Sequence, residues 1–168
     1  EDYYVANKLM KGYIGAANID TNSRLCMSSA VAAHQRAFGE DVVPASYEDL
    51  ELCQLLVIVG ANTAWTHPVI FRRIQQARSK NPNMKLVVVD PRRTMTAEQS
   101  DLHLAIKPGS DVHLFNGLCR YLQQTNHIDM DYVTAHVSGY AELSTLLDSP
   151  EYEPAAVARA CGLNEVDL

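Results

Sequence analysis

Cys26 stands in the stretch TNSRLCMSSAV, between a polar, basic loop and the small residues of a helix. A structural cysteine normally sits inside an apolar run, because free cysteine is among the most buried residue types. At a boundary of this kind two readings stay open, a packed cysteine and a thiol that a ligand can reach at the end of a loop. The other three cysteines have apolar company. Cys53 leads into LLVIV, Cys119 continues a stripe with Leu114, Leu118 and Leu122, and Cys161 precedes a helix-closing Gly162. Their expected role is packing. No C-x-x-C pair occurs, so zinc-site spacing and a tight disulfide framework are both absent.

Three further clusters follow apolar runs. The run LLVIV ends in Gly60-Ala61-Asn62-Thr63, and Thr66-His67 precede Pro68. A glycine there lets the backbone approach a ligand, and proline marks an early helical position whose unpaired N–H groups face an anion. The run KLVVV ends in Asp90-Pro91-Arg92-Arg93. An acid at the second strand end is where nucleotide-binding sheets hold ribose or base, and arginines there can meet phosphate. The run LHLAI is followed by Pro108-Gly109-Ser110-Asp111. Taken singly, each has a plain structural reading: Asn62 as a turn residue, Asp90-Pro91 as a loop starter, Ser110 or Asp111 as a helix cap. Three on one sheet edge point to a nucleotide site. The absence of G-x-G-x-x-G after the first run counts against an ordinary NAD-binding domain.

The elements that must position these groups read as α/β. Helices are expected over 4–14 and 27–38, the latter closed by Gly39, with a short helical segment near 46–52. Strands are expected over 55–59, 85–89 and 102–106, with helices over 69–80 and 112–124 between and after them. Continuous apolar strands alternating with amphipathic helices imply βαβ units and a Rossmann-like parallel sheet with flanking helices. The C-terminal third reads as helices packed on that sheet. His34 and His136 lie on helices and are expected to pack or face solvent.

Length and charge bound the function. At 168 residues the chain is expected to form one domain with a real core. A formal net charge of −6 argues against a nucleic-acid partner. No apolar run reaches the roughly 20 residues needed to span a bilayer, so no membrane partner is expected. The N-terminus EDYYVANKLMKG has neither a start methionine nor a signal-peptide pattern and reads as mid-helix, as in a domain excised from a larger subunit.

The set NSRLCMSSAV, VGANTAWTHPVIFRRI, VVVDPRRT and IKPGSDVHLFNG, in this order and spacing, resembles the molybdopterin-guanine-dinucleotide oxidoreductases of the DMSO reductase superfamily. It is most similar to the bacterial assimilatory nitrate reductases. The resemblance implies one α/β cofactor-binding domain, residues 1–168, of a larger catalytic subunit. It implies a bis-molybdopterin guanine dinucleotide cofactor with molybdenum, and a 4Fe-4S cluster bound outside this segment. Nitrate is the implied substrate, reduced to nitrite by oxygen-atom transfer. Electrons would come from a ferredoxin, a flavodoxin or an NADH-linked subunit, and the compartment would be the cytoplasm.

The resemblance also assigns positions. Cys26 matches the cysteine that ligates molybdenum, and Asn22 a cofactor-contacting asparagine. Gly60, Ala61, Asn62 and Thr63 match a pyrophosphate-cradling loop, with Thr66 and His67 at its helical end. Asp90, Pro91, Arg92 and Arg93 match a segment that grips guanosine, and Gly109, Ser110 and Asp111 a third contact to the nucleotide. Trp65 lies where the family varies. Related formate dehydrogenases place histidine after the ligand, so Cys26-Met27 favours nitrate reductase over that alternative. A non-catalytic nucleotide-binding module is the other alternative, and it would have no use for a thiol at Cys26. The excised domain is expected to be inactive alone.

Overall fold

Three parallel strands, β1 (Leu55–Val59), β2 (Lys85–Val89) and β3 (Leu102–Leu104), lie side by side in that order in a computed structural model describing residues 1–168. Leu55 pairs with Lys85 and Val59 with Val89, while Val87 pairs with Leu102 and Val89 with Leu104. Eleven α-helices accompany them. The chain divides into two compact units, Glu1–Ser46 and Tyr47–Leu168.

The first unit is wholly helical. Helix α1 (Asp2–Asn7) runs on as a π-helix over Lys8–Ile14, so the single expected helix changes its winding midway. Gly15, at φ 73°, closes it. A four-residue helix, α2 (Ser23–Cys26), precedes α3 (Ser28–Phe38), which Gly39 terminates at φ 83° as its sequence position implied. No residue of this unit is buried. Forty-odd residues are too few to enclose a core, and Tyr3, Tyr13, Leu25, Phe38 and Val43 are all more than half exposed.

The second unit is built on both faces of the sheet. The one-turn helix α4 (Asp49–Leu52) leads into β1. After β1 come another one-turn helix, α5 (Thr63–Thr66), and α6 (Pro68–Lys80), whose first residue is the expected proline. Between β2 and β3 lies α7 (Met95–Glu98), in a stretch expected as loop. After β3 come α8 (Asp111–Gln124), α9 (Met130–His136), α10 (Tyr140–Leu147) and α11 (Pro154–Cys161). Side chains alternate across a strand, so β2 feeds two cores. Leu86 and Val88 join Ile58, Met84 and α6 residues Ile74 and Ala77 on one face. Val87 and Val89 join Leu104, Ile106, Leu114, Val157 and Cys161 on the other. Each fully buried Val, Leu, Ile or Met among them stabilises by about 1.5–3 kcal/mol.

Tertiary packing sets two details. Leu55, Val57 and Val59 are exposed, because α8 and α11 cover only the β2–β3 side. The third strand ends at Leu104 rather than 106. There the backbone leaves the ladder, and the Lys107 N–H donates to the Cys161 carbonyl at 2.8 Å. The C-terminal helices are tied down by buried Arg120, which donates to the carbonyls of Leu147 and Ser149 and to the Glu153 carboxylate. No helix is long and apolar enough to cross a membrane.

Candidate functional site

The carboxyl ends of β1 and β2 open onto a groove of about 630 Å³. Gly60 makes the exit from β1 possible: its φ of 61° is left-handed, and its N–H donates to the Val89 carbonyl at 2.9 Å. Asn62 then caps α5 through its backbone carbonyl, which accepts from Trp65 and Thr66. Its side chain reaches across instead. Asn62 Oδ1 accepts from the Thr96 hydroxyl at 2.9 Å, and that hydroxyl accepts from the Ala64 N–H at 2.9 Å. One buried threonine therefore pins α5 to α7, so the groove has two walls fixed relative to each other.

The turn after β2 is self-organised. Asp90 is buried, and its Oδ1 accepts from the Arg92 N–H at 2.8 Å, which shapes the loop carrying Arg92 and Arg93. The Asp90 carbonyl meets the His103 ring at 2.8 Å, tying the turn to β3. Thr94 caps α7 by accepting from the Ala97 N–H at 3.3 Å. Both arginine side chains are exposed.

The groove brings together four of the residues that the sequence singled out: Asn62, Thr66, Arg92 and Arg93. Trp65, Thr94, Met95 and Glu98 complete it. Gly60 and Asp90 shape the two turns behind the groove. Ala61 is partly buried against the α6-side core and Thr63 is buried, while Pro91 is exposed; none of these three lines the groove. His67 bonds back to the Thr66 hydroxyl at 2.8 Å. The third cluster stands apart from this groove. Gly109 turns at φ 83°, and the Ser110 hydroxyl donates to the Lys107 carbonyl at 2.6 Å instead of capping α8. The Ser110 carbonyl accepts from the Cys161 thiol at 3.6 Å. Asp111 begins α8, exposed.

Thr96 and Glu98 escaped the sequence reading because DPRRTMTAEQS was taken as loop. The available signal was Thr94 ahead of the helix formers Met95, Ala97 and Glu98. Away from the groove, Asp101 holds the start of β2. Its carboxylate accepts from the Leu86 N–H at 2.7 Å and pairs with Arg78 at 2.6 Å. The Leu86 hydrogen bond above all, then the charges of Arg78 and Lys85, hold its pKa below the ordinary 3.8 against the opposing effect of burial.

In the first unit, Cys26 is an exposed free thiol that ends α2, with its N–H on the Asn22 carbonyl at 2.9 Å. The sequence placed it just ahead of the following helix, and it lies two residues before α3, at the end of the one-turn α2 rather than of a loop. Asn22 itself borders a separate hollow with Lys11 and Asp20. Cys161 is fully buried, and Cys53 and Cys119 are partly so, as packing residues should be. His34 stacks on Phe38, and His136 packs against the Tyr132 ring at a tilt of 45°. No group of three or more His, Cys, Asp or Glu gathers that could hold a metal by itself.

Comparison with known proteins places this architecture. The family model for molybdopterin oxidoreductases matches residues 1–156. The chain is 63% identical over 140 residues to the nitrate reductase of Shewanella frigidimarina, covering 83% of this chain and 15% of that protein. It is 53% identical over 163 residues to the nitrate reductase of Klebsiella oxytoca, covering 97% and 18%. The chain thus spans less than a fifth of the length of these two relatives. Acetylene hydratase from Pelobacter acetylenicus shares the fold with a TM-score of 0.76 and 25% identity, over 98% of this chain and 22% of that one. The sequence resemblance and the parallel α/β architecture agree with these matches, and the chain belongs to the molybdopterin oxidoreductase family.

Proposed function

We propose that this chain is the dinucleotide-binding and molybdenum-ligating part of a nitrate reductase catalytic subunit. The observation that carries the proposal is an exposed free thiol, Cys26, followed by Met27, in a chain 63% identical to a named nitrate reductase. The residues fit the cofactor. The groove offers the unpaired guanidinium groups of Arg92 and Arg93 for a pyrophosphate, with Asn62 and Thr66 beside them for polar contacts. The backbone at Gly60, free of any Cβ, allows close approach. Cys26 would supply one soft donor to the molybdenum, which the family likeness implies is held otherwise by the two pterins.

On this reading the cofactor is the bis-molybdopterin guanine dinucleotide form, and it supplies oxygen-atom transfer from nitrate. This chain's own residues bind and orient it: Arg92 and Arg93 neutralise phosphate, the Asn62–Thr96–Ala64 network holds the groove open, and Cys26 tunes the metal as a protein ligand. Asp90 sets the turn that presents the arginines. Gly109 and Ser110 serve the nucleotide through backbone shape, since the Ser110 hydroxyl is committed to Lys107, and Asp111 offers it an exposed carboxylate. The remaining domains of the subunit provide the rest of the cofactor cage and a 4Fe-4S cluster. The electron donor is a ferredoxin, a flavodoxin or an NADH-linked subunit, and the assimilatory likeness implies the cytoplasm.

The test uses the full-length subunit, wild type and Cys26→Ser, with molybdenum quantified and nitrate reduction driven by a reduced dye. A variant that retains pterin and loses at least about 100-fold in turnover, as expected on loss of a metal ligand, supports the reading. Unchanged turnover would overturn the ligand role while leaving the fold assignment standing.

A further inference from the structure

We propose that His103, on β3, is a positioning residue for the arginine pair: it fixes the Asp90–Pro91 peptide and so sets where Arg92 and Arg93 present their charge to a phosphate. The role rests on the nucleotide-binding reading above and falls to a residue that does not itself line the groove. His103 Nε2 lies 2.8 Å from the Asp90 carbonyl oxygen. A carbonyl only accepts, so Nε2 carries the proton and donates it. The imidazole thereby takes over where the ladder runs out. Strand pairing ends at Val89 and Leu104, and the Asp90 N–H still donates to the Leu104 carbonyl at 3.2 Å. Beyond that point a side chain, not backbone, supplies the donor. His103 pairs with Val88 in register, so its partly buried ring stands on the sheet face that Leu86 and Val88 share with α6.

Proline gives this contact its weight. The peptide joining Asp90 to Pro91 has no N–H, so its carbonyl is the only polar group by which that peptide can be held. Past the proline, Asp90 Oδ1 accepts from the Arg92 N–H at 2.8 Å, and the Arg92 carbonyl accepts from the Thr94 N–H at 2.9 Å. Thr94 in turn caps α7. A chain of hydrogen bonds therefore runs from β3 through Asp90, Arg92 and Thr94 to α7, with His103 as its anchor. Both arginine side chains are exposed, so the backbone turn alone directs them. Without the imidazole donor the Asp90 carbonyl is free to swing toward water, and the two guanidinium groups lose their fixed direction.

The chain has one tryptophan, Trp65, and it lines the groove, so its emission reports occupancy. The 168-residue chain is titrated with GDP and with inorganic pyrophosphate while Trp65 emission is followed, with calorimetry in parallel and far-UV circular dichroism as the folding control. His103→Phe keeps a ring of similar size and removes the donor; His103→Gln keeps an N–H donor near the place of Nε2. Expected in His103→Phe is a loss of roughly 2- to 13-fold in affinity for both anions, the worth of one net hydrogen bond. His103→Gln restores binding, and in an Arg92→Ala background His103→Phe costs less than it does alone, because the two residues act through one turn. Should His103→Phe fail to fold, His103→Asn, whose amide is too short to reach, takes its place. If the folded donor-less variant binds both anions like wild type, if glutamine fails to rescue, or if the loss is undiminished in Arg92→Ala, the positioning role is overturned and the nucleotide site stands. If folded wild type binds neither anion, the nucleotide reading falls, and the positioning role with it.

Discussion

Replacing Thr96 by valine tests whether one hydroxyl organises the groove. Thr96 is fully buried, so valine keeps the branched shape and removes only the polar atom. The Ala64 N–H then loses its side-chain acceptor, and an unsatisfied, partly buried donor costs about 1–3 kcal/mol. Asn62 is partly exposed and recovers most of its lost bond from water. The added methyl returns about 0.8 kcal/mol of apolar burial. The balance is a loss centred near about 1 kcal/mol, which for a chain of this size lowers Tm by roughly 2–4 °C. The assay is thermal unfolding followed by circular dichroism, paired with GDP titration of Trp65. Thr96→Ser keeps the hydroxyl and is expected to bind GDP like wild type, whereas Thr96→Val binds it more weakly because α5 and α7 are no longer coupled. A Thr96→Val protein that melts within a degree of wild type and binds GDP equally well would refute the reasoning.

Two further outcomes probe the scaffold. In α8, a Cβ added at Gly117 would lie 2.6 Å from one methyl of Val157 and 3.1 Å from the other. Alanine improves helix propensity by about 1 kcal/mol, but Val157 is buried and rotamerically stiff, so overpacking of about 3 kcal/mol wins. Gly117→Ala should lower Tm by roughly 4–8 °C, and adding Val157→Ala should recover part of that loss in a double-mutant cycle. At Asp101 the folded state keeps the carboxylate ionised below its ordinary 3.8. The unfolded chain therefore takes up the proton first as pH falls, and the contribution is complete at neutral pH and lost from about pH 5 downward. The site is screened by water, so Asp101→Asn should cost no more than about 1 kcal/mol at pH 7 and flatten stability against pH below 5, measured by urea unfolding at several pH values.

Much of this was legible along the chain. The strands over 55–59 and 85–89 were read at their true bounds, because five-residue β-branched runs flanked by polar turns have one sensible conformation. Pro68, Gly39 and Gly162 marked helix ends through backbone constraints that act locally. Packing overrode local signals elsewhere. The 102–106 run has strand composition to its end, yet Lys107 finds its hydrogen bond on Cys161, more than fifty residues away, and the strand stops short. The exposed face of β1 likewise depends on where α8 and α11 sit, which no property of LLVIV encodes.

The candidate site divides along the same line. Residue type and spacing set Cys26 at a boundary outside any apolar run, put glycine and acid-arginine clusters at the ends of successive strands, and carry the family resemblance. Those properties are local and survive in a string of letters. Tertiary structure alone decided that Asn62, Thr66, Arg92 and Arg93 share a groove while Ser110 turns inward. It also decided that Trp65 and Glu98 face that groove, through a hydroxyl bridge between residues more than thirty positions apart. A hydrogen bond depends on angstrom-scale distance and angle, and the chain reaches that precision only once the strands are paired and α5 and α7 have been brought together.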